Sequence, residues 1–412
     1  MSLNDTPSAE RTRIAFFGLR NAGKSSLVNA VCAQEVSVVS HVSGTTTDPV
    51  RKSMELLPLG PVVIVDTPGI DDAGELGKRR VARARAELEN CDIAVLVVDA
   101  TRGWSPADRT LAALAEKRKV LWLTVWSKAD LLDEATRRHL AREPGALLVS
   151  ARDGSGVDEL KERLARLVRP QPPRPVVADL VGTGELVILV IPIDGSAPKG
   201  RLILPQQLVL RELLEAHAVA VCIRPEELST TMERLGGRPR LVVCDSQVFA
   251  EVARVVPREV TLTSFSILMA RHKGELAAYA RGAKRLARLA GSSRVLISEG
   301  CTHHRQCQDI GTVKLPLWIE GYIGARPHFE FTSGAEFPHD PSGFDLVVHC
   351  GACMLGQREM ARRIRACEGA GVPIINYGLA IAQMRGILTR SLEAFPGVGA
   401  LFQAEGEGGD TS

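Results

Sequence analysis

The fold of the first part of the chain is decided by the stretch Gly18-Leu19-Arg20-Asn21-Ala22-Gly23-Lys24-Ser25. It fits the pattern GxxxxGK[ST] and lies between an apolar segment, residues 14–17, and a helix-like segment, residues 26–32. In that context the glycines turn backbone N–H groups toward phosphates, Lys24 reaches the β and γ oxygens, and Ser25 can bind Mg²⁺. The alternative, a chance glycine-rich turn, is disfavoured by the flanking strand and helix.

Further apolar runs continue this pattern on both sides of the loop. They are RIAFFG (13–18), PVVIVDTPG (61–69), IAVLVVDA (93–100), VLWLTVWSK (120–128) and ALLVSA (146–151), each followed by a polar or amphipathic segment. Buried strands alternating with helices predict a parallel, doubly wound α/β domain over residues 1–170. The stretch RPQPPRP (169–175) holds four prolines in seven residues and is predicted to be a linker.

Four more loops are predicted to complete a nucleotide site. Asp66-Thr67-Pro68-Gly69 follows a buried strand and supplies a carboxylate for the Mg²⁺ shell and a glycine N–H for the γ-phosphate. A hydroxyl from the loop 45–47 completes that shell. In Ser127-Lys128-Ala129-Asp130, Asp130 can accept two hydrogen bonds from guanine, and Ser150-Ala151-Arg152 closes the base pocket. These features favour GTP over ATP.

The segments GLRNAGKSS (18–26), GTTTD (44–48), DTPG (66–69) and SAR (150–152) resemble the potassium-activated, tRNA-modification-GTPase-like group of translation-factor-related GTPases. This resemblance implies that Asn21 and the carbonyl of Thr45 hold K⁺ and that Thr46 binds Mg²⁺. Two positions depart from the usual pattern. The guanine motif begins with Ser127 instead of Asn, which predicts weaker nucleotide affinity. Ile70 stands where many regulatory GTPases carry a water-orienting Gln, which predicts slow hydrolysis.

The predicted site residues can be collected by role. Those predicted to bind the nucleotide and its ions are Gly18, Asn21, Ala22, Gly23, Lys24, Ser25, Ser26, Thr45, Thr46, Asp66, Gly69, Ser127, Lys128, Asp130, Ser150 and Ala151. Those predicted to act in catalysis are Lys24, Ser25, Thr46, Asp66 and Gly69, with Ser25 and Thr46 as Mg²⁺ ligands.

The remainder of the chain is predicted to form two smaller α/β units. In residues 171–261 we expect strands at ELVILVIPI (185–193) and RLILP (201–205), followed by a helix from near Gln206. In residues 262–412 we expect strands at RVLIS (294–298), FDLVVHC (344–350) and VPIINYG (372–378), and a basic helix over 358–367. The third unit is predicted to be another parallel α/β layer.

The composition of the chain argues against nucleic acid and membranes as binding partners. The chain carries 51 Lys and Arg against 48 Asp and Glu, and aromatic residues make up 4% of it, so it has no basic footprint for wrapping nucleic acid. The first 13 residues are polar, and the apolar run at 186–193 is far shorter than the ~20 residues that span a bilayer. We therefore expect a cytoplasmic protein that binds neither nucleic acid nor a membrane.

Cysteine and histidine residues indicate a metal centre in the third unit. The segments Cys301-Thr302-His303 and His349-Cys350-Gly351-Ala352-Cys353 each lie just beyond an apolar strand. Ligands gather at the carboxyl ends of parallel strands, and three thiolates with an imidazole suit either structural Zn²⁺ or an iron-sulfur cluster. Cys307 stays open as a spare ligand. The cysteines without such a context are predicted to be small core residues: Cys32, Cys91, Cys222, Cys244 and Cys367.

The combination of motifs is more specific than any one of them. A G domain, a dimerisation-like middle unit and a CxH…HCxxC pair with 45 residues between His303 and His349 resemble the HydF family, the GTPase maturation factors of [FeFe]-hydrogenase. The implied fold is α/β, with a P-loop GTPase domain, a small α/β dimerisation domain and a C-terminal parallel α/β iron-sulfur-binding domain.

That resemblance also implies a function. It implies that Cys301, Cys350 and Cys353 hold a [4Fe-4S] cluster whose fourth ligand is variable or exchangeable, with His303 or His349 as candidates. A homodimeric scaffold then assembles a transient two-iron subcluster with two radical-SAM maturases and delivers it to [FeFe]-hydrogenase. The alternative is an RNA-associated GTPase in tRNA modification or ribosome assembly, with a structural zinc site.

Overall fold

The computed structural model describes residues 11–33, 50–57, 59–70, 74–143, 145–167, 174–193, 202–236, 238–300, 310–334, 336–352, 355–399 and 402. The chain divides into two compact units, residues 1–172 and 173–412. Within the described ranges, no helix combines the length and apolar character needed to cross a bilayer.

The first unit contains a five-stranded sheet in the order β2-β3-β1-β4-β5. Its strands are β1 (Thr12–Phe17), β2 (Val50–Leu56), β3 (Gly60–Asp66), β4 (Ile93–Asp99) and β5 (Leu121–Ser127). Its helices are α1 (Lys24–Ala33), α2 (Gly74–Asn90), α3 (Pro106–Lys117), α4 (Glu134–Ala141) and α5 (Val157–Leu167). Central strand β4 is buried throughout, and separate apolar clusters cover the two faces of the sheet. The predicted doubly wound α/β class is confirmed.

Two details of this sheet differ from the prediction. The run ALLVSA forms an isolated parallel bridge, Trp126 to Leu148, instead of a strand. Strand β2 was not predicted and runs antiparallel to β3. Among the described strands it lies at the edge of the sheet, and its mostly polar sequence VRKSMEL lacks the apolar run that marks a buried central strand.

The second unit begins with a parallel sheet in the order β7-β6-β8-β9. Its strands are β6 (Leu186–Val190), β7 (Val219–Ile223), β8 (Leu241–Cys244) and β9 (Thr261–Ser264). The helices that accompany them are α6 (Leu204–Glu215), α7 (Leu228–Leu235), α8 (Phe249–Val255) and α9 (Phe265–Lys273). The predicted strand RLILP is wrong, because helix α6 begins inside it at Leu204. Pro205 suits the first turn of a helix, where its missing N–H has no intrahelical partner.

A second parallel sheet follows, in the order β11-β10-β12-β13. Its strands are β10 (Arg294–Glu299), β11 (His328–Ser333), β12 (Leu346–His349) and β13 (Ile374–Asn376). The helices of this part are α10 (Leu276–Leu286), α11 (Leu315–Ile323), α12 (Gln357–Gly369), α13 (Tyr377–Met384) and α14 (Leu388–Leu392). The predicted strands at 294–298, 344–350 and 372–378 and the basic helix are present, whereas edge strand β11 was missed.

The two sheets of the second unit repeat one another. In both sheets the second strand in chain order lies at one edge, next to the first strand. The third and fourth strands follow on the other side of the first strand. The repeat extends to register. Val190 pairs with Cys244 in one sheet, and Ser298 pairs with His349 in the other. Asp245 N–H donates to Val190 O (3.2 Å), as Cys350 N–H donates to Ser298 O (3.0 Å). The residue after the third strand therefore occupies an equivalent place in each sheet.

Candidate functional site

The phosphate-binding loop follows β1 and depends on glycine at its first position. Gly18 has φ +149°, and a Cβ added there would lie 2.3 Å from the carbonyl oxygen of Val97 in β4. Gly23 (φ +87°) and Asn21 (φ +61°) also adopt left-handed backbone conformations. Glycine adopts these conformations without steric cost, and asparagine tolerates them better than most residues. The loop is therefore shaped by its own backbone and by close approach to β4.

The loop after β3 lies directly against the phosphate-binding loop. A Cβ on Gly69 would come within 2.7 Å of Arg20 Cα, and Ile70 N–H donates to Gly18 O (3.3 Å). The Thr67 hydroxyl donates to Phe16 O (2.6 Å) and is buried. A movement of residues 69–70 therefore alters their direct contacts with the phosphate-binding loop.

Lys24, Ser25 and Asp66 converge at this junction, and of the predicted Mg²⁺ ligands Thr46 lies outside the described residues. Lys24 is 6% exposed, and its Nζ donates to Leu19 O (2.7 Å) and Gly18 O (3.1 Å). Ser25 Oγ donates to Asp66 Oδ2 (2.5 Å). Asp66 Oδ1 is buried and has no hydrogen-bond partner among the described residues. A buried carboxylate oxygen without a donor, beside a serine hydroxyl, suits a hard cation such as Mg²⁺.

Ser127, the unusual first residue of the guanine motif, ties this motif to the phosphate-binding loop. Its hydroxyl lies 2.6 Å from Ala22 O and 3.1 Å from Val98 O, and the side chain is buried. A hydroxyl has one hydrogen, so it donates to one of these carbonyls at a time. The short side chain thus makes a contact between the two loops that the sequence did not reveal.

The rest of the base-recognition residues lie together. Ala129 N–H donates to Val149 O (3.2 Å), which joins the guanine motif to Ser150. The buried Ser150 hydroxyl accepts from Arg152 N–H (3.2 Å). The Asp130 carboxylate lies 4.0 Å from the Arg152 guanidinium, whose side chain is 83% exposed. An exposed, loosely paired arginine can move away when a base binds Asp130.

Asp99, at the end of β4, is a site residue that the sequence analysis missed. Its carboxylate accepts from Lys128 Nζ (2.7 Å) and from the Thr101 hydroxyl (2.7 Å). Burial alone raises the pKa of Asp99, but the hydrogen bonds from Lys128 and Thr101 outweigh it and hold that pKa below its ordinary value. Asp99 therefore stays ionised and orients Lys128 (φ +58°). The only sequence signal was an aspartate ending a buried strand.

The predicted residues Gly18, Lys24, Ser25, Asp66, Gly69, Ser127 and Ser150 are brought to one edge of the sheet. Ser26 is exposed near the start of α1. Thr45 and Thr46 lie outside the described residues, and so do Cys301, His303, Cys307 and Cys353. Within the described part of the chain, no group of three or more His, Cys, Asp or Glu is arranged to hold a metal ion.

The described part of the predicted metal centre lies at the carboxyl ends of β10 and β12. These strands are neighbours, and the order of the sheet reverses between them. Such a reversal opens a crevice at which α/β proteins bind ligands. The chain continues from β10 through Gly300 to Cys301, and from β12 to Cys350. The two predicted segments therefore leave adjacent strands at the same edge.

Cys350 Sγ accepts two backbone hydrogen bonds. Gly300 N–H lies 3.0 Å from this sulfur and Ala352 N–H lies 3.4 Å from it. Ala352 has φ +55°, a conformation that is uncommon for alanine. Hydrogen bonds to cysteine sulfurs are one of the features by which a protein tunes an iron-sulfur cluster. A thiolate is the form that binds zinc or iron.

His349 makes two hydrogen bonds through its ring and is fully buried. Its Nε2 lies 3.0 Å from Arg363 Nη1, and its Nδ1 lies 2.9 Å from Cys350 O. Arg363, on α12, is also fully buried and is paired with Glu359 (2.7 Å). Both nitrogens of the imidazole are thus engaged by the protein.

The remaining described cysteines divide by burial. Cys91, Cys244 and Cys367 are fully buried, as predicted for core residues, and burial raises the pKa of the Cys367 thiol to about 12. Cys32 is partly buried. Cys222, on edge strand β7, is exposed, so its predicted core position is wrong.

Comparison with known proteins assigns each part of the chain. Residues 13–128 match the family described as 50S ribosome-binding GTPase, which makes the first unit a GTPase. Der from Kosmotoga olearia is 36% identical over 170 residues, 38% of this chain and 38% of Der. The tRNA modification GTPase MnmE from Dechloromonas aromatica is 32% identical over 155 residues, 37% of this chain and 34% of MnmE. The chain thus spans little more than a third of these relatives.

A solved structure of Era from Aquifex aeolicus is 20% identical, with a TM-score of 0.33, and covers 52% of this chain and 92% of Era. Beyond the GTPase, residues 176–274 match the Hydrogen maturase F dimerization domain, and residues 277–394 match the Hydrogen maturase F tetramerization domain. Together these two domains occupy more than half of the chain. With a GTPase ahead of both oligomerisation domains, the chain belongs to the hydrogen maturase F (HydF) family.

Proposed function

We propose that this GTPase is the scaffold and carrier of [FeFe]-hydrogenase maturation. In this role it holds a [4Fe-4S] cluster on Cys301, Cys350 and Cys353, assembles the two-iron subcluster with two radical-SAM maturases, and delivers it to the hydrogenase. The family assignment supports hydrogenase maturation as the process. The domain boundaries that accompany this proposal are 1–170 for the GTPase, 171–261 for dimerisation and 262–412 for cluster binding.

The observation that carries the cluster proposal is the environment of Cys350. Its sulfur accepts N–H bonds from Gly300 and Ala352, which directly precede Cys301 and Cys353 in the chain. Backbone N–H groups directed at a cysteine sulfur stabilise thiolates and tune iron-sulfur clusters. A cluster iron without a fourth thiolate supplies an exchangeable position for the two-iron cargo. His303 is a candidate for that position, and His349 is one only if a ring nitrogen gives up its hydrogen bond to Arg363 or to Cys350 O.

The nucleotide site supplies a switch in this proposal. Gly69 and Ile70 touch the phosphate-binding loop through Arg20 and Gly18. A γ-phosphate bound in that loop therefore changes the contacts available to the segment that follows, and its loss reverses the change. We assign to GTP hydrolysis the control of partner association, in a protein that works as a homodimer in the cytoplasm.

Potassium is proposed as the cation that supports slow hydrolysis, held by Asn21 and the Thr45 carbonyl. Asn21 has the left-handed backbone of a loop residue and an exposed side chain. Because the apolar side chain of Ile70 cannot orient water, hydrolysis must rely on the bound cation. Phosphate release should therefore be several times faster in KCl than in NaCl at equal ionic strength. Equal rates in the two salts would reject the potassium assignment.

Anaerobic reconstitution with ferrous iron and sulfide tests the cluster. The expected product is a brown protein that gives an electron paramagnetic resonance signal on reduction, and Cys350→Ala should lose both. A colourless protein with stoichiometric zinc would contradict the proposal. That outcome would favour the alternative of an RNA-associated GTPase with a zinc site, which the similarity to the tRNA modification GTPase MnmE supports over the first unit only.

A further inference from the structure

The carboxyl end of the last sheet contains a buried arginine that neither the motifs nor the nucleotide site explains. Arg363 is fully buried, and its guanidinium contacts four acceptors. Nε donates to Glu359 Oε1 (2.7 Å), Nη1 to Ser298 Oγ (3.2 Å) and His349 Nε2 (3.0 Å), and Nη2 to Gly334 O (2.7 Å). The Phe337 ring covers it, 5.0 Å from Cζ.

These acceptors belong to different strands. Ser298 is in β10, Gly334 directly follows β11, and His349 ends β12. One side chain of α12 therefore joins the carboxyl ends of three of the four strands. The rigid fork of the guanidinium makes this possible, because its five N–H groups point in fixed directions.

The arginine also fixes the chemical form of His349. A guanidinium only donates, so His349 Nε2 must be the acceptor and carries no proton. The ring proton of the neutral imidazole then lies on Nδ1 and is donated to Cys350 O at 2.9 Å. Neither nitrogen can bind a metal until one of these hydrogen bonds breaks. His349 thereby holds the carbonyl of Cys350, while the N–H groups of Gly300 and Ala352 contact its sulfur.

We infer that Arg363 is a positioning residue of the metal centre. Through His349 and Ser298 it holds Cys350 and the end of β10 in the positions from which metal ligands reach the metal. This inference rests on the proposed cluster function and gives His349 a role other than iron ligand. Ser298 lies two residues before Gly300, whose N–H contacts the Cys350 sulfur, so the contacts of Arg363 with His349 and with Ser298 both lead to Cys350. Groups that orient metal ligands in this way typically change metal affinity by about 10- to 100-fold when replaced.

The test is iron release from the reconstituted full-length protein into a ferrous chelator, followed by absorbance, with the electron paramagnetic resonance spectrum of the reduced form. Arg363→Lys keeps the charge but cannot contact four acceptors, and we expect release about 10-fold faster or more and an altered spectrum. Arg365→Lys is the matched control, because Arg365 is exposed on the same helix. Its release rate and spectrum should equal those of the wild type.

A double-mutant cycle tests whether Arg363 acts through His349. If Arg363 acts through His349, the combination of His349→Ala with Arg363→Lys should release iron more slowly than the product of the two single effects predicts. Multiplied effects, or a wild-type release rate in Arg363→Lys, would overturn the inference and leave the cluster intact. A wild-type protein that takes up no iron and sulfide would instead overturn the proposed function, and this inference with it.

A second variant tests the same inference if Arg363→Lys does not fold. Replacing both members of the buried pair, Glu359→Met with Arg363→Met, removes the buried guanidinium together with its carboxylate partner, a kind of change that is often tolerated. Glu359 also pairs with Arg362 (2.7 Å), so Glu359→Met alone is the matched control. The double variant removes the same contacts to Ser298, His349 and Gly334. The same faster release and altered spectrum are expected, and unchanged release would reject the inference.

Discussion

The nucleotide site and the thiol site occupy the same place on two different sheets, the carboxyl end beside a reversal of strand order, but they are held by different means. The phosphate-binding loop is shaped by its own backbone, with Gly18 against Val97 O and Gly69 against Arg20. The thiol edge is held by side chains, with Arg363 reaching three strand ends from a helix. A site formed by one continuous loop can therefore be recognised from the spacing of its glycines. A site formed by segments far apart in the sequence depends on side chains that no local motif identifies.

The largest expected effect tests whether the two sites are independent. Lys24→Ala removes a buried ammonium from the phosphate-binding loop, and we expect GTP turnover to fall by about 100-fold or more, as for other preorganised donors. Iron bound per chain after reconstitution should not change. Phosphate release and iron content measure the two effects, with Lys117→Ala, an exposed lysine, as control. Simultaneous loss of iron would refute independent sites.

A pair of glycine substitutions sharpens the contrast between backbone and side-chain support. In Gly18→Ala the new Cβ meets a backbone carbonyl at 2.3 Å, whereas in Gly300→Ala it meets the Leu355 side chain at 2.6 Å. The Val97 carbonyl belongs to a buried central strand and cannot move, whereas the Leu355 side chain can change its rotamer. Gly18→Ala should therefore abolish GTP binding, measured by titration calorimetry, while Gly300→Ala retains most of its iron. Equal damage at both sites would contradict the distinction.

Much of the nucleotide site could be predicted, because its residues are contiguous and follow apolar strands. The contact from Ser127 to Ala22 could not, since it joins residues 105 positions apart. Edge strands β2 and β11 escaped detection because they lack the continuous apolar run of a buried strand. At the thiol edge the Cys and His residues could be identified from the sequence. That β10 and β12 are neighbours could not, because it depends on the order of the strands in the sheet.

Arg363 could not have been singled out from the sequence. It lies in a helix with arginine at positions 358, 362, 363 and 365, and periodicity does not say which guanidinium is buried. The repeated sheet teaches the same lesson. Asp245 takes the place after β8 that Cys350 takes after β12, so one topology carries a thiol in one copy and a carboxylate in the other.

A moderate effect is expected from Ser127→Ala. The change removes the donor to Ala22 O and Val98 O in a buried setting, and an unsatisfied buried acceptor costs about 1 to 3 kcal/mol. We expect a loss of this size in the free energy of unfolding in urea, together with weaker GTP binding. Ser155→Ala, at an exposed serine, should match the wild type. Unchanged GTP affinity in Ser127→Ala would show that this link between loops is not needed.

An effect of similar size at neutral pH, which declines in acid, is expected at the side-chain-supported edge. Burial alone raises the pKa of Glu359, but Arg362 and Arg363 outweigh it and hold that pKa below its ordinary 4.5. The ionised carboxylate therefore stabilises the fold above pH 4.5, and this contribution is lost as pH falls below 4.5 through the folded-state pKa. Glu359→Gln should be less stable than the wild type at pH 7 by about 1 to 3 kcal/mol.

The gap between Glu359→Gln and the wild type should narrow as pH falls below 4.5. Urea unfolding across a pH series measures it. A gap that stays constant from neutral to acid pH would mean that the charge of Glu359 does not contribute, and that the variant acts by packing alone.

The most direct test of the central claim is to replace each of the nine cysteines singly with alanine and to measure iron and acid-labile sulfide per chain after anaerobic reconstitution. The wild type should bind about four of each. Loss should be confined to Cys301→Ala, Cys350→Ala and Cys353→Ala, while the variants of buried Cys91, Cys244 and Cys367 keep their iron. Full iron and sulfide in any of the first three would contradict a cluster held by those thiolates.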